Sequence, residues 1–565
     1  MGNRLTPPPL ATLFGIWFQI DADVLVGHNI GGFDLDVLLH RLKACKVAHW
    51  SRVGRLRRNK MPNLQSGGGN KFGGGAAASA MSALAGRLLC DTYLSAREFV
   101  KEVSYTLSSL ASSQLKMERR EFDATNVPAM YGSAQSLLGL VKHAEEDAWL
   151  SLALMFHLSV LPLTRQLTCL SGSLWAKTLQ GARAQRIEYL LLHEFHNLKY
   201  LLPDKLSYRE KERLAKKAGG GGAPEEDNEA GMEGGKGAKG KGPQYAGGLV
   251  LEPKKGLYDK MVLLLDFNSL YPSIIQEYNI CFTTVVRPKD DAVPPLPENV
   301  GEQAVLPGVL RKLVQRRRQV KELLKQERDV LKRQQLDIRQ QALKLTANSM
   351  YGCLGFAHSR FYAKPLAQLV TSQGREILQS TADLVENTLG LEVIYGDTDS
   401  IMINSNLNDV SKAKMLGALV KKEVNKRYKL LELELDYIFK TILLLKKKKY
   451  AALKIENITE AGQYTTTMEC KGLDIVRRDW CPLSKELGQA CLDAILSGRA
   501  AEEVVETIHE TLRAAREALD KGATAVEKLV ITKQLTKSPE EYPDAANQAH
   551  VQVAPYPSPL AHPKP

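Results

Sequence analysis

Met261-Val262-Leu263-Leu264-Leu265-Asp266-Phe267-Asn268-Ser269-Leu270-Tyr271-Pro272-Ser273-Ile274 is an apolar run that ends in a carboxylate. The unbroken apolar stretch ahead of Asp266 has the pattern of a strand buried on both faces. A second segment, Tyr395-Gly396-Asp397-Thr398-Asp399-Ser400, lies between apolar stretches at 391–394 and 401–403. Its Gly-Asp-Thr-Asp reads as the turn of a hairpin. Both segments place a carboxylate at a strand end. Two such carboxylates meeting in space can clamp a pair of divalent ions, which stabilises the attacking and leaving oxygens of an in-line phosphoryl displacement. Mg²⁺ suits this task because it binds through one or two carboxylates plus substrate phosphates.

Composition points the same way. The chain has 565 residues, 44% of them hydrophobic, enough for roughly three to five domains. Lys and Arg number 76 against 63 Asp and Glu, a net charge of +13. That excess favours a polyanionic partner, nucleic acid first, over a basic surface that binds nothing. The eight cysteines are scattered without a C-x-x-C pair, which argues against a zinc or iron–sulfur site and fits a reducing compartment. There is no signal-peptide pattern and no apolar run of about 18 residues, so no membrane partner is expected.

Residues 1 to about 60 read as α/β material, with strand-like 23–26 and a helix over 35–42. A Gly/Ala-rich insert at 67–79 reads as a surface loop. Helical patterning continues to about 202. Residues 204–244 are charged and then Gly-rich, and read as a linker, with phosphate contact by its lysines as the other reading. Dense patterning from 245 lasts to about 542, and a tail at 555–565 holds five prolines, which excludes a helix or central strand there.

Three further stretches bear on chemistry. Residues 340–351 have a helix pattern closed by Gly352, with Lys344, Asn348 and Tyr351 on one face and Leu343 and Leu345 as packing residues. A cation, an amide and a ring on one face suit a nucleoside triphosphate. Taken alone, the stretch is an amphipathic helix with an exposed lysine. Residues 310–341 read as one long charged helical region carrying Arg317 and Lys321 one turn apart, a grip for phosphates or a solvated face. An apolar strand over 442–445 leads into Lys446, Lys447, Lys448 and Lys449, followed by Tyr450, and could track a duplex backbone. A localisation signal reads equally well there. Residues 471–478 add a basic cluster.

Together these segments resemble the B-family DNA polymerases, and among them the eukaryotic alpha type. Asp266-Phe-Asn-Ser-Leu-Tyr-Pro-Ser-Ile-Ile-Gln-Glu-Tyr-Asn-Ile-Cys-Phe282 is similar to motif A. Leu343-Lys-Leu-Thr-Ala-Asn-Ser-Met-Tyr-Gly-Cys-Leu-Gly-Phe356 is similar to motif B, and Tyr395-Gly-Asp-Thr-Asp-Ser400 to motif C. The likeness runs from about 23 to 553, interrupted by the low-complexity inserts.

The resemblance implies an α/β multidomain fold: a right-hand polymerase with an α+β palm, fingers and a partial thumb, preceded by a degenerate RNase H-like exonuclease domain. The expected boundaries are 1–166 for the exonuclease-like domain and 167–245 for an N-terminal-domain return segment. The palm takes 246–314 and 374–480, the fingers 315–373, the thumb 481–553 and the tail 554–565. Asp266, Asp399 and Asp397 would be catalytic, with Asp266, Asp399 and Phe267 in the metal set for two Mg²⁺ ions and no zinc or iron–sulfur centre. Ser269, Leu270, Tyr271, Arg317, Lys321, Lys344 and Asn348 would hold the dNTP, with Tyr271 excluding a ribose 2′-hydroxyl. Tyr245, Gly247, Gly248, Tyr351, Gly352, Lys446, Lys447, Lys448, Lys449 and Tyr450 would contact the primer–template, either DNA or an RNA–DNA hybrid. Primase and an accessory subunit are the implied partners and the nucleus the implied compartment.

Gly27-His-Asn-Ile-Gly-Gly-Phe-Asp34 is similar to the second exonuclease motif, and His143-Ala-Glu-Glu-Asp147 stands at the third, with His143 where active enzymes have Tyr. Residues 1–33 contain no D-x-E. A two-metal exonuclease needs about three to four carboxylates, so Asp34 and Asp147 read as relics of a site that does not proofread. The chain is expected to be truncated at both ends, its thumb stopping early and the cysteine-rich module that binds the partner subunit absent. Two function classes follow: a DNA-directed DNA polymerase extending RNA–DNA primers, or a weak fragment that binds nucleic acid or nucleotide without sustained synthesis. Another B-family type is the alternative on identity.

Overall fold

In chain order the main elements begin with β1 (Val24–Gly27), α1 (Asp34–Ala44), β2 (Leu88–Asp91), α2 (Thr92–Phe99), α3 (Ala134–His157), α4 (Val160–Ser171) and α5 (Arg183–Asn197). Next come β3 (Gly256–Tyr258), β4 (Val262–Phe267), α6 (Leu270–Glu277), α7 (Val305–Gln326), α8 (Val330–Gly355) and α9 (Lys364–Asp383). The last group is β5 (Glu392–Asp397), β6 (Ser400–Asn404), α10 (Val410–Asn425), β7 (Leu433–Lys446), β8 (Lys449–Glu456), β9 (Thr465–Lys471), α11 (Pro482–Leu496) and α12 (Ala501–Asp520). The computed structural model describes residues 19–47, 49–62, 81–102, 104–121, 126–204, 210, 245–288, 292–298, 303–356, 359–457, 463–476, 480–531, 535, 542 and 548–553. The expected insert at 67–79, nearly all of the linker at 204–244, the tail at 554–565 and the basic pair Arg477 and Arg478 lie outside these residues.

The chain divides into two units, 1–234 with 313–362, and 235–312 with 363–565. In the first unit β1 and β2 pair in parallel, Val24 opposite Leu88 and Gly27 opposite Asp91. Leu35, Leu39 and Leu42 repeat at helical spacing, so one face of α1 is apolar; it packs on Trp50, Val53 and Leu84. Leu163 and Leu167 of α4 meet Ile338 and Ala342 of α8. Among the described residues no single helix is long and apolar enough to cross a membrane; the bent pair α3 and α4 meets that length and composition jointly, and both carry buried core residues.

The charged region at 310–341, expected as one helical stretch, is two helices. The Glu327 carboxylate accepts from the N–H of Arg328 and Asp329 at 2.9 and 3.0 Å. Asp329 then caps α8, accepting from the N–H of Leu331 and Lys332 at 2.8 and 3.2 Å. These side chains satisfy the orphan donors of a new helix start, so the chain breaks here despite continuous helix-favouring composition. Gly352 does not close α8, which runs on to Gly355. Buried Met350, Cys353 and Leu354 keep that last turn packed, and burial outweighs the helix penalty of one glycine.

The second unit is built on an antiparallel sheet of order β5-β6-β4-β7-β8-β9, with β3 added on β7. Strand β4 is the interior strand beside both β6 and β7, and Met261 to Leu265 are buried throughout, as an apolar run without alternation requires. Val262, Leu264, Tyr395, Met402, Phe439, Ile442 and Tyr450 form one core cluster. Helix α9 buries Leu366, Leu369, Val370 and Ile377 and packs on α6. Residues 364–373 therefore belong with the sheet, whereas the sequence reading continued the fingers to 373. Helix α10 packs on β4 and β7.

Candidate active site

Asp266 is the penultimate residue of β4, paired with Ser400 of β6 on one side and Glu434 of β7 on the other. Strand β6 begins one residue after Asp399. The turn Thr398-Asp399 joins β5 to β6, with Thr398 at φ 59, the left-handed conformation a two-residue hairpin turn requires. The N–H of Phe267 donates to the Asp399 carbonyl at 2.8 Å. A strand end and a hairpin turn 133 positions apart in sequence (399 − 266) are thereby tied side by side.

The Asp266 carboxyl feels its acidic neighbours. Burial, then Asp399 and then Asp436, push the Asp266 carboxyl up to about 7. Burial raises the Asp399 carboxyl too; a backbone N–H bond opposes the rise and Asp397 adds to it. Crowded carboxylates held above their ordinary range fit a divalent cation, whose charge offsets the repulsion. Among the described residues no three His, Cys, Asp or Glu side chains form a cage for a metal ion on their own. Two carboxylates that need substrate oxygens to complete coordination match the way Mg²⁺ binds.

Asp436 escaped the sequence reading. Leu264 pairs with Tyr437 and Leu265 with Leu435, so Asp436 is the extra residue of a β-bulge in β7, and bulges re-aim side chains. Its signal was present: Glu432, Glu434 and Asp436 repeat at the period of a strand.

Helix α6 starts where β4 ends. Ser269 takes φ 51 as its N-cap, and Leu270 is buried. Tyr271 is half-buried. Burial, then Asp399, then Tyr245 raise its phenol, and Arg375 opposes them. A Cβ at Gly374 of α9 would lie 3.2 Å from Tyr271 Cε1, so the ring rests close against the glycine and would have to shift slightly for any side chain there. Arg375 donates to the carbonyls of Ala246 and Gly247 at 3.1 and 2.8 Å. Thr398 N–H donates to Leu249 O at 2.8 Å, and a Cβ on Gly248 would meet Thr398 at 2.7 Å. The Tyr245-to-Gly248 loop thus lies on the hairpin turn that carries Asp399.

The strand over 442–445 does lead into the lysines, and the run turns back as a hairpin. Strands β7 and β8 pair Lys446 with Lys449, and Lys447 and Lys448 form the turn between them, with Lys448 at φ 61. Lys446, Lys447 and Lys448 are exposed. Tyr450 is only 7% exposed, and burial, then Glu469, raise its phenol strongly. Its ring fills the sheet core, so it braces the hairpin rather than presenting a face to a duplex. Both faces of β8 are covered: Tyr450 and Ala452 lie in one core cluster and Ala451 in another.

The remaining expected residues lie on the first unit. Lys344, Asn348 and Gly352 form an exposed strip of α8, with Tyr351 half-buried beside them. Arg317 is half-buried on α7 and donates from Nε to Gln340 Oε1 at 3.4 Å; burial lowers its pKa from the usual arginine value. Lys321 is exposed one turn further along.

The first unit also holds the exonuclease-like residues. Arg119 clasps Asp147 with two bonds, 2.6 and 2.7 Å, and His143 stands 3.6 Å from the same carboxyl. Asp91, which the sequence reading missed, is 2% exposed and accepts from the N–H of Asn29, Gly31 and Tyr93 at 2.8, 3.4 and 3.0 Å. It closes the short apolar strand β2 as Asp266 closes β4, so the same signal was there to find it. Burial and then Asp91 raise the Asp34 carboxyl. One carboxylate is thus paired with an arginine and another is spent on loop backbone.

The model for DNA polymerase family B matches residues 173–556, and that for the family B exonuclease domain matches 10–110. The chain is 59% identical over 546 residues to the DNA polymerase alpha catalytic subunit of Oryza sativa, covering 95% of this chain and 35% of that protein. It is 49% identical over 562 residues to that of Mus musculus, covering 96% and 37%. The chain thus spans about a third of the length of these relatives. It is also similar to the family B DNA polymerase of the archaeon Pyrobaculum calidifontis, at a TM-score of 0.64 and 27% identity, covering 98% of this chain and 64% of that one.

Proposed function

The chain belongs to DNA polymerase family B, and we propose from that premise that it is a DNA-directed DNA polymerase of the alpha type, transferring nucleotides from dNTPs to a primer 3′-hydroxyl under template direction. The observation that carries the reading is the junction of Asp266 and Asp399 through the Phe267 N–H to Asp399 carbonyl bond.

Asp266 and Asp399, with the Phe267 carbonyl, would hold two Mg²⁺ ions, which when bound supply activation of the attacking hydroxyl and neutralisation of the triphosphate. The backbone at Ser269 and Leu270, at the start of α6, faces the triphosphate, where a helix N-terminus favours anions. The Tyr271 ring, seated on Gly374, closes the space a ribose 2′-hydroxyl would take. Arg317, Lys321, Lys344 and Asn348 hold the phosphates from α7 and α8, with Tyr351 and Gly352 toward the nascent pair. Lys446, Lys447, Lys448 and Lys449 contact primer–template phosphates without reading sequence, and the Tyr245-to-Gly248 loop contacts the template. Positioning and electrostatics carry the chemistry.

In this reading the sheet unit is the palm, α7 and α8 the fingers, and α11 and α12 the thumb. The natural primer is an RNA–DNA hybrid, the setting is nuclear replication, and primase with an accessory subunit are the partners. The pairing of Asp147 with Arg119 and the burial of Asp91 support a first unit that does not proofread. One observation favours the second reading, binding without sustained synthesis: none of the 20 residues of α12 is fully buried, and the stripe of Val504, Ile508, Thr511 and Ala515 stays only half-buried although the helix packs on α11.

Primer extension by the purified chain, with labelled RNA–DNA primer, template, dNTPs and Mg²⁺, tests the reading. Extension by the wild type and none by Asp399→Asn is expected. Binding of primer–template without any extension would select the second reading.

A further inference from the structure

The lysine hairpin is joined to Asp397 through the phenol of Tyr395. The N–H of Lys448 donates to Tyr395 Oη at 2.8 Å, and Tyr395 Oη donates to Asp397 Oδ2 at 3.2 Å. The tyrosine is 3% exposed, within the core cluster of Phe439, Ile442 and Tyr450. Both bonds are partly buried, and a polar group left unpaired there is costly. The other carboxyl oxygen of Asp397 accepts from Thr398 Oγ1 at 3.1 Å, and Lys448 Nζ stands 3.9 Å from it. The Asp397 carbonyl accepts from the Asp399 N–H at 2.7 Å. A continuous series therefore runs from the lysine turn through Tyr395 and Asp397 to Asp399.

The lysine turn is fixed from its other side as well. Gly472, just past the end of β9, has φ 61, and a Cβ there would lie 2.1 Å from the Lys448 carbonyl. Only glycine permits that approach. Lys448 is thus held between the Gly472 backbone and the Tyr395 phenol.

We propose that Tyr395 is a positioning residue that sets the lysine hairpin, and the primer–template it contacts, in register with the turn carrying Asp399. This deepens the polymerase reading and rests on it. The hydroxyl acts through its neighbours and touches no substrate. Without it, the Lys448 N–H and Asp397 Oδ2 lose a buried partner, and the hairpin loses its fixed place relative to Asp399. The loss falls on how the primer end is held and leaves the nucleotide side of the site intact.

Tyr395→Phe keeps the ring and removes only the hydroxyl. Affinity for a fluorescent RNA–DNA primer–template is read by anisotropy, below the melting temperature that circular dichroism gives for each variant. The dissociation constant is expected to rise about five- to tenfold, the loss of roughly one partly buried hydrogen bond. In extension assays KM for primer–template should rise in step, while KM for dNTP stays within about twofold. Tyr258→Phe removes a hydroxyl bonded to the Lys254 carbonyl beside the same cluster and is expected to bind as wild type does. Unchanged primer–template affinity in Tyr395→Phe overturns the proposal, as does an equal rise in both KM values or an equal loss in Tyr258→Phe. If the wild type binds but extends no better than Asp399→Asn, the polymerase reading fails instead, and the binding comparison still decides the role of Tyr395.

Discussion

Phe267 gives its backbone N–H to the carbonyl of Asp399 at 2.8 Å, and that bond sets the end of β4 against the β5–β6 turn. The two acidic side chains on either side of it are close enough that Asp399 helps hold Asp266 up to about 7. An acid raised this far binds a proton in the folded chain that the unfolded chain has already released. Between about pH 4 and 7 metal-free stability therefore falls as pH rises.

Asp266→Asn removes that cost. In metal-free buffer at pH 8 the variant should be more stable than wild type by about 1–3 kcal/mol, less than the roughly 4 that three unscreened pH units would imply. Thermal melts check this. Mg²⁺ should raise the wild-type melting temperature and leave the variant's unchanged, and extension should fall by about 10³-fold or more.

Metal binding requires the deprotonated carboxylate. Single-turnover extension at limiting Mg²⁺ should therefore climb with pH through about 7, and the apparent midpoint should move down as Mg²⁺ is raised. A profile flat from pH 6 to 8 at low Mg²⁺ would contradict the crowding of Asp266 and Asp399.

Gly374→Ala places a methyl group 3.2 Å from the Tyr271 ring. The helix itself gains from alanine, so stability should change by less than about 1 kcal/mol. The displaced ring should raise KM for dNTP several-fold with primer–template affinity unchanged. Tyr271→Ala should instead admit ribonucleotides, measured by rNTP incorporation on the same primer.

Arg119→Ala frees Asp147 from its two-bond clasp. Both side chains are partly buried, so the chain should lose about 1–2 kcal/mol. No 3′-to-5′ degradation of a mismatched primer should appear, because Asp91 stays bound to loop N–H groups. Gain of Mg²⁺-dependent exonuclease activity would refute the relic reading.

Replacing Lys446 and Lys447 by Ala should weaken primer–template binding without regard to sequence. The slope of log K against log salt should become shallower by about 0.9 for each phosphate that is no longer neutralised. Anisotropy titrations between 50 and 200 mM salt, the range in which phosphate neutralisation shows, measure it.

The places of Asp266, Asp399 and the Lys344 face were legible because each sits in a short local pattern: an apolar strand closed by a carboxylate, a two-residue hairpin, a helix face at i, i+4 and i+7; Tyr271 entered only through the family resemblance. Continuous burial of β4 and the strand–turn–strand at Thr398 likewise follow from neighbours in the chain. Other features depended on cross-chain pairing, which no local pattern contains. The bulge that aims Asp436 arises from the mismatch of β7 with β4. The clasp on Asp147 needs Arg119 brought in from another segment, and Asp91 became a loop anchor only when β2 paired with β1. The lysine run became a pinned turn, with Tyr450 facing inward, because β8 also pairs with β9. Periodicity along a chain reports which way a side chain faces, whereas hydrogen-bond register between strands decides which distant groups it meets; at Tyr395, where Lys448 and Asp397 converge, that register alone makes the connection.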